Sequence, residues 1–311
     1  MNHLQHGEPL HDTRASEGRK ERLPDIGHDR PVRPGALVRL MRPRQWVKNA
    51  FVLAPLTFSG SFLEIGMVAD AILAMGLFCL GSSATYVFND LRDVDADRQH
   101  PEKRHRRPIA TGEVGEGQAR WLAAGLLVAV LAVGSIQLLT LGVVGLYMTL
   151  TTLYSLWLKQ VPVVDLFVVA VGFVLRVWAG AVAIDVVLSE WMFITTLSLA
   201  LYLAAVKRQA ELETNPESAR RVIQLYSVDL LERYATLAAV SAILFYGLFV
   251  VTVRPELVVT LPLVLFGLFR YWYLAESGEA ESPTDALWGD WILVATIVIW
   301  GALSTWSVWS R

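Results

Sequence analysis

Apolar runs recur from about residue 50 to the C-terminus of this 311-residue chain. Each run approaches the roughly 20 residues that an α-helix needs to cross the hydrocarbon core of a bilayer. Lipid offers no partner for a free backbone N–H or C=O group, so every such segment must be helical. The sequence therefore predicts an all-α, polytopic membrane bundle.

We predict nine membrane segments from these runs. The first contains Pro55 and is the least regular. Most connections between segments are short, so we expect a compact bundle, and two connections are long, 89–117 and 208–231. The approximate segment ranges are 47–62, 67–88, 118–138, 139–157, 163–184, 189–207, 232–252, 256–274 and 290–309.

The basic residues are distributed very unevenly over this predicted topology. All but three of the 27 Lys and Arg residues fall on one side, and the exceptions are Arg176, Arg254 and Arg311. The positive-inside rule assigns the basic side to the cytoplasm. We therefore expect a multi-pass protein of the inner (cytoplasmic) membrane with its N-terminus inside and its C-terminus outside.

The overall composition and the polar N-terminal segment limit the classes of protein and of site that this chain can form. The first 36 residues are polar and predict a disordered cytoplasmic tail, with residues 37–311 forming the membrane domain. A formal net charge of −2 gives no support to nucleic-acid binding. The single cysteine, Cys79, excludes a disulfide within the chain and a cysteine-cluster metal site.

The most charged connection follows the second segment. Residues 89–109, NDLRDVDADRQHPEKRHRRPI, contain four Asp, one Glu and six Lys or Arg. On a helix, side chains four residues apart project to one face. Closely spaced oxygen ligands favour Mg²⁺, which removes the repulsion among carboxylates. We predict that Asn89, Asp90, Asp93 and Asp97 bind Mg²⁺ and that the three Asp are catalytic; a solvated acidic helix end is the alternative.

Basic residues follow these carboxylates directly, in the stretch HPEKRHRRPI. Metal-bound carboxylates beside basic side chains favour a phosphorylated substrate, because Arg offers forked donors to phosphate oxygens. The candidate substrate-binding residues here are Lys103, Arg106 and Arg107. For each of them, contact with a lipid headgroup is the alternative.

Further polar residues fall on the same predicted side of the bundle. They occur in the motifs RPRQWVKN, YSLWLK, LRVWAG and KRQAEL, and at the start of the fifth segment. Ionisable residues within or at the mouth of a membrane bundle usually mark a functional site. The candidate substrate-binding residues in this group are Gln45, Lys48, Asn49, Tyr154, Lys159, Asp165, Arg176, Lys207 and Glu211.

Two of these candidates have open interpretations. Arg176 follows Asp165 by eleven residues, so the two share a helix face about 16 Å apart. An Arg at that depth needs a partner, and it either pairs with a carboxylate or faces the substrate cavity. Lys207 and Glu211 are four residues apart, so an intrahelical ion pair is the alternative to substrate contact.

These motifs resemble those of one known family. The N-in bundle of nine helices with NDxxDxxxD after the second segment is similar to the UbiA superfamily of intramembrane prenyltransferases. Within that superfamily, RPRQWVKN, YSLWLK, LRVWAG and KRQAEL resemble the branch that transfers phosphoribose to a polyprenyl (decaprenyl) phosphate. The resemblance covers about residues 37–310.

The resemblance implies a Mg²⁺-dependent phosphoribosyltransferase whose active site faces the cytoplasm. Its substrates would be 5-phosphoribosyl-1-diphosphate and a polyprenyl phosphate held among membrane lipids. Its products would be diphosphate and polyprenyl-phosphoryl-5-phosphoribose, a precursor of lipid-linked arabinose for cell-envelope glycans. The resemblance leaves a homo-oligomer open.

The chain departs from the family pattern at two places. HPEKRHRRPIATG has one residue more than the usual HPxKRxRPIAxG, so either Arg106 or Arg107 takes the role of the family arginine. The connection after the sixth segment has no second DxxxD motif, which favours the phosphoribosyl branch. The alternatives are a UbiA-type prenyltransferase that moves a prenyl group from its diphosphate to an aromatic or isoprenoid acceptor, and a transporter or lipid-binding scaffold.

Overall fold

A computed structural model of the protein describes residues 34–99, 103–214, 222–279 and 282–310, without the side chain of Lys103. Most of the predicted tail, residues 1–33, therefore lies outside the described residues. All regular structure in the described ranges is helical. The α-helices are α1 (Pro34–Met41), α2 (Ala54–Ser59), α3 (Ile65–Arg92), α4 (Val94–Gln99), α5 (Lys103–Arg106), α6 (Glu116–Gly134), α7 (Leu138–Leu156), α8 (Val164–Ala183), α9 (Glu190–Thr214), α10 (Val228–Val253), α11 (Leu261–Glu276), α12 (Pro283–Gly289) and α13 (Trp291–Trp309).

Among the described residues, eight helices are long and apolar enough to cross a membrane. The span of α11 includes the 3₁₀ turn Pro255–Thr260 that precedes it. The eight helices are α3, α6, α7, α8, α9, α10, α11 and α13, and they correspond in order to the second to ninth predicted segments. Their outer faces expose many large apolar side chains, such as Trp121, Leu139 and Leu237. Exposed apolar surface of this extent indicates contact with lipid.

The first predicted segment, 47–62, is helical but not a single α-helix. A 3₁₀ helix, Pro43–Leu53, runs directly into the short α2, which ends at Ser59 and is followed by Gly60 with φ 86°. Pro55 lies in the first turn of α2. Because proline has no backbone N–H, it interrupts regular α-helical hydrogen bonding at this point.

The alternating directions of the long helices bring the charged connections to one end of the bundle. Contacts across the chain confirm that they meet: Arg42 reaches Asp90, and Lys159 reaches Asp93. We call this part the charged end. It comprises residues 42–49, 89–99, 103–115, 154–165, 207–213 and 284–290.

Candidate active site at the charged end

The acidic motif lies where α3 gives way to α4. Asp93 separates the two helices with φ −92° and ψ 10°. Helical hydrogen bonds nevertheless cross the break, because Asp93 N–H donates to Asn89 O at 2.9 Å and Asp97 N–H donates to Asp93 O at 2.8 Å. The four-residue spacing predicted to group these side chains is therefore kept, although the helix is not continuous.

Two of the carboxylates are buried and share an arginine. Arg107 donates to Asp90 Oδ1, and its Nη1 lies 3.6 Å from Asp97 Oδ2. Arg42 Nη2 donates to the same Asp90 oxygen at 2.5 Å. Of the two adjacent arginine candidates, Arg107 reaches the carboxylates, whereas Arg106 is exposed.

The third carboxylate joins the acidic motif to the end of α7. Lys159 lies in the 3₁₀ turn Leu158–Gln160, and its Nζ donates to Asp93 Oδ2 at 3.2 Å. Arg92 donates to the carbonyl of Ser155 near the end of α7. Two motifs that are far apart in sequence thus form one surface.

The carboxylate and amide oxygens of this motif are the kind of ligand atom that a hard cation prefers. Asp90 Oδ2 is buried and has no hydrogen-bond partner among the described residues. Within the described residues, no three His, Cys, Asp or Glu side chains converge as a metal site. The charges of the carboxylates are compensated by Arg42, Arg107 and Lys159. The donor set suits Mg²⁺, and its assignment as a metal site stays a prediction.

A group of basic residues lies beside the acidic motif. Lys48 is half-buried in the 3₁₀ helix Pro43–Leu53, where the positive charges of Lys207, Arg176 and Arg42 act on it and Asp285 opposes them. Several like charges around one lysine create a local positive potential, which attracts anions. The surface is therefore suited to a ligand with more than one negative charge.

Helix α12 borders this basic group. Thr284 Oγ1 donates to Gln45 Oε1 at 3.5 Å. Asp285, the next residue, is exposed and supplies the negative charge that acts on Lys48. The connection between α11 and α13, which sequence analysis does not single out, thus contributes to the charged end.

Asp165 is fully buried and pairs with Arg208. Arg208 Nε donates to Asp165 Oδ2 at 3.2 Å, and its two Nη atoms donate to Tyr154 OH at 2.9 Å and Glu211 Oε2 at 3.2 Å. Tyr226 OH donates to Asp165 Oδ1 at 2.7 Å. Burial raises the pKa of Tyr226, so its hydroxyl stays a donor at neutral pH. The ion pair of Glu211 that the structure shows is thus with Arg208, three residues before it.

Arg176 lies in the interior of α8, only 4% exposed. Its Nε donates to Asn49 Oδ1 at 2.9 Å, its Nη1 to Gly172 O at 2.7 Å and its Nη2 to Tyr147 OH at 3.0 Å. Among the described residues, no carboxylate contacts this guanidinium. The interpretation that Arg176 pairs with a carboxylate is therefore not borne out.

Two arginines that touch the predicted carboxylates are absent from the predicted site residues. Arg42 bonds to Asp90, and Arg208 bonds to Asp165. Both belong to motifs that the sequence does single out, Arg42 to RPRQWVKN and Arg208 to KRQAEL, and this membership is a signal that could have found them. The side chain of Lys103 lies outside the described part of the chain.

The profile of the UbiA prenyltransferase family matches residues 50–297. The chain belongs to this family. Among curated relatives, the decaprenyl-phosphate phosphoribosyltransferase of Mycolicibacterium smegmatis is 38% identical over 237 residues, 74% of each chain. That of Corynebacterium glutamicum is 32% identical over 281 residues, 85% of this chain and 84% of the relative.

A solved structure shares the fold. The structure of a UbiA homolog from Archaeoglobus fulgidus bound to GPP and Mg²⁺ superposes with a TM-score of 0.68 at 19% identity, covering 89% of this chain and 100% of that one. This similarity shows the fold, and the family match at residues 50–297 together with the eight long apolar helices of the described residues makes the protein a multi-pass membrane member of the UbiA prenyltransferase family.

Proposed function

We propose that this protein transfers a 5-phosphoribosyl group from 5-phosphoribosyl-1-diphosphate to a polyprenyl (decaprenyl) phosphate. One observation carries the proposal: buried carboxylates and a group of lysines and arginines meet at one end of a membrane bundle. Such a surface suits a donor with phosphates at both ends beside a lipid that carries another phosphate. The names of the two curated relatives support this donor and acceptor.

The acidic motif would hold the metal. Asn89, Asp90, Asp93 and Asp97 would bind Mg²⁺, which would neutralise charge on the departing diphosphate. The A. fulgidus homolog is bound to GPP and Mg²⁺, which supports a role for Mg²⁺ in this protein.

The basic residues divide into two groups by their contacts. Arg107 and Lys159 hold Asp90 and Asp93 in place. Lys48 and Lys207 lie beside the motif and would bind the phosphates of the donor or the lipid. Lys103 and Arg106 are further candidates for the same phosphates.

The proposed reaction exchanges one C–O bond for another. The bond from ribose C1 to the diphosphate breaks, and the diphosphate leaves with the electron pair. An oxygen of the lipid phosphate forms the new bond to C1. This oxygen is already ionised near neutral pH, so the reaction needs no strong general base. The basic residues would stabilise the negative charge that develops on the departing diphosphate as C1 becomes oxocarbenium-like.

The location of the site suits both substrates. By the positive-inside rule, the charged end would face the cytoplasm of the inner membrane. The water-soluble donor would then arrive from the cytoplasm and the polyprenyl phosphate from the bilayer. The product, polyprenyl-phosphoryl-5-phosphoribose, would serve as a precursor of lipid-linked arabinose.

The direct experiment is a transfer assay with the purified full chain. It would receive labelled 5-phosphoribosyl-1-diphosphate, polyprenyl phosphate and Mg²⁺, with and without EDTA. We expect label in the organic phase that EDTA abolishes. No transfer, together with consumption of a prenyl diphosphate and an aromatic acceptor, would instead establish the prenyltransferase alternative.

The same assay tests the acidic motif. We expect Asp93→Asn to lower turnover by roughly 100-fold or more, because it weakens a proposed metal ligand. Asp95→Asn is the matched control, since the Asp95 side chain is 87% exposed and pairs only with Arg98 among the described residues. Full Mg²⁺-dependent turnover by Asp93→Asn would contradict the site assignment.

A further inference from the structure

The 3₁₀ helix Pro43–Leu53 is unusually long. It has 11 residues, whereas 3₁₀ runs beyond about four residues are uncommon because their hydrogen-bond geometry is poorer than that of an α-helix. It carries three of the predicted substrate-binding residues, Gln45, Lys48 and Asn49. Surrounding contacts must therefore maintain this conformation.

The three-residue period of this helix sorts its side chains into three rows, because residues i and i+3 eclipse each other in a 3₁₀ helix. Trp46, Asn49 and Val52 form one row. Trp46 Nε1 donates to Ser83 Oγ on α3 at 3.1 Å. A Cβ atom on Gly180 of α8 would lie only 1.8 Å from the Val52 carbonyl oxygen. This row is thus packed against the bundle.

A second row, Gln45, Lys48 and Phe51, leads to the charged end. Gln45 contacts Thr284, and Lys48 lies among the charges of Lys207 and Asp285. Farther along the row, Phe51 packs edge-to-face on Phe173 with ring centroids 5.0 Å apart. Only the first two members of the row are therefore available to a ligand.

Asn49, in the middle of the packed row, is bonded at both ends of its amide. Its Oδ1 accepts from Arg176 Nε at 2.9 Å. Its Nδ2 donates to Ser82 Oγ and Cys79 Sγ on α3, each at 3.3 Å. Asn49 thus ties the 3₁₀ helix to α8 and α3 at once.

The Arg176 guanidinium has little left to offer a phosphate. Its three nitrogens donate to Asn49, Gly172 and Tyr147. Its central carbon lies 4.6 Å from the Tyr147 ring centroid, 5.2 Å from that of Phe173 and 5.6 Å from that of Phe78. Aromatic faces stabilise a buried cation without a counter-ion.

We infer that Arg176 is a positioning residue. Braced by its bond to Tyr147, it holds the packed row of the 3₁₀ helix through Asn49. It thereby directs Gln45 and Lys48 toward the donor, rather than binding substrate itself. The identity of the donor rests on the proposed function, whereas the positioning role rests on the contacts described above.

Three variants test this role in the transfer assay. Arg176→Lys keeps the charge but cannot reach Asn49 and Tyr147 together, because an ammonium lacks the planar fork of the guanidinium. Tyr147→Phe removes only the accepting hydroxyl. Tyr202→Phe is the matched control, since Tyr202 is also buried and donates a hydrogen bond between helices, to Leu268 O at 2.6 Å.

Weaker binding of donor and transition state alike raises KM without changing kcat. We expect the donor KM to rise roughly tenfold in Arg176→Lys and about threefold in Tyr147→Phe, with kcat within about twofold of wild type. The KM for polyprenyl phosphate should stay unchanged in both, and Tyr202→Phe should change neither KM. An unchanged donor KM in Arg176→Lys would overturn the inference.

The single cysteine provides a readout that needs no turnover. Cys79 accepts a hydrogen bond from Asn49, so a loosened 3₁₀ helix should expose its thiol. We expect maleimide to label Cys79 faster in Arg176→Lys and Tyr147→Phe than in wild type or Tyr202→Phe. Unchanged labelling would overturn the inference, and so would faster labelling with an unchanged donor KM, which would indicate a purely structural contact.

These readouts separate the inference from the proposed function. If the wild-type protein ignores 5-phosphoribosyl-1-diphosphate, the proposed function fails. The labelling experiment still reports on Arg176, and the KM comparison would be made with whichever diphosphate donor the wild-type protein uses.

Discussion

Two buried arginines, Arg208 and Arg176, are stabilised in opposite ways. Both are nearly inaccessible, 6% and 4% exposed. Arg208 lies toward the charged end of α9 and pairs with the buried carboxylate of Asp165. Arg176 lies in the interior of α8 and bonds only to neutral oxygens and ring faces among the described residues.

The difference follows from their depth in the bundle. A second buried charge adds its own desolvation penalty, which the attraction within an ion pair repays only with good geometry and further hydrogen bonds. Asp165 has these, since Tyr226 also donates to it. In the membrane interior, amide, carbonyl and phenol oxygens offer partial negative charge at a smaller desolvation penalty. The two arginines should therefore respond differently to removal.

The largest effect should come from removing Arg208. Arg208→Met leaves the buried Asp165 carboxylate uncompensated, which typically lowers the free energy of unfolding by about 3–5 kcal/mol. Arg176→Met leaves only neutral acceptors unsatisfied, with a loss of about 1–3 kcal/mol. Denaturant unfolding of both variants in detergent measures the difference. The double variant Asp165→Leu/Arg208→Met should recover part of the loss, and a greater loss in Arg176→Met would refute the comparison.

A smaller loss of stability should follow from crowding the contact between α8, which carries Arg176, and the 3₁₀ helix Pro43–Leu53. In Gly180→Ala the new methyl group would collide with the carbonyl of Val52. Overpacking of this kind lowers the free energy of unfolding by about 1–3 kcal/mol. Gly247→Ala in α10 is the control, because a Cβ atom there meets nothing within 4 Å and alanine favours the helix. Equal thermal stability of the two variants would show that the close approach to Val52 is not required.

The smallest effect should come from the ion pair of a third arginine, Arg270, with Asp290 of the charged end. Arg270 donates to Asp290, the N-cap of α13, and this hydrogen bond lowers the pKa of that carboxyl below its usual 3.8. A lowered folded-state pKa stabilises the protein above the usual value, and this stabilisation is lost as the pH falls through the folded-state pKa. The pair is partly exposed and screened by solvent.

Asp290→Asn should therefore lower the melting temperature at pH 7 by less than either buried-arginine variant. The difference from wild type should shrink when both proteins are melted near pH 3. A difference that stays constant between these pH values would show that the carboxylate charge is unimportant and that the N-cap hydrogen bond alone accounts for the effect.

The membrane helices could be predicted because their cause is local. Each long apolar run must form a helix wherever lipid surrounds it, and eight of the nine predicted segments are such helices. The first segment differs because its neighbours determine its conformation. Gly180, more than a hundred residues away, allows the Val52 carbonyl to approach, and Arg176 holds Asn49.

The candidate site likewise combines features that a single segment determines with features that distant segments determine. The sequence by itself determined which residue types gather at the charged end, because hydropathy, charge and four-residue spacing are properties of single segments. Only the tertiary structure decided the pairings: Asp165 with Arg208 rather than Arg176, and Arg107 rather than Arg106 beside Asp90. Buried charges select partners by distance and desolvation, and both depend on helices that are distant in sequence and adjacent only in the folded bundle.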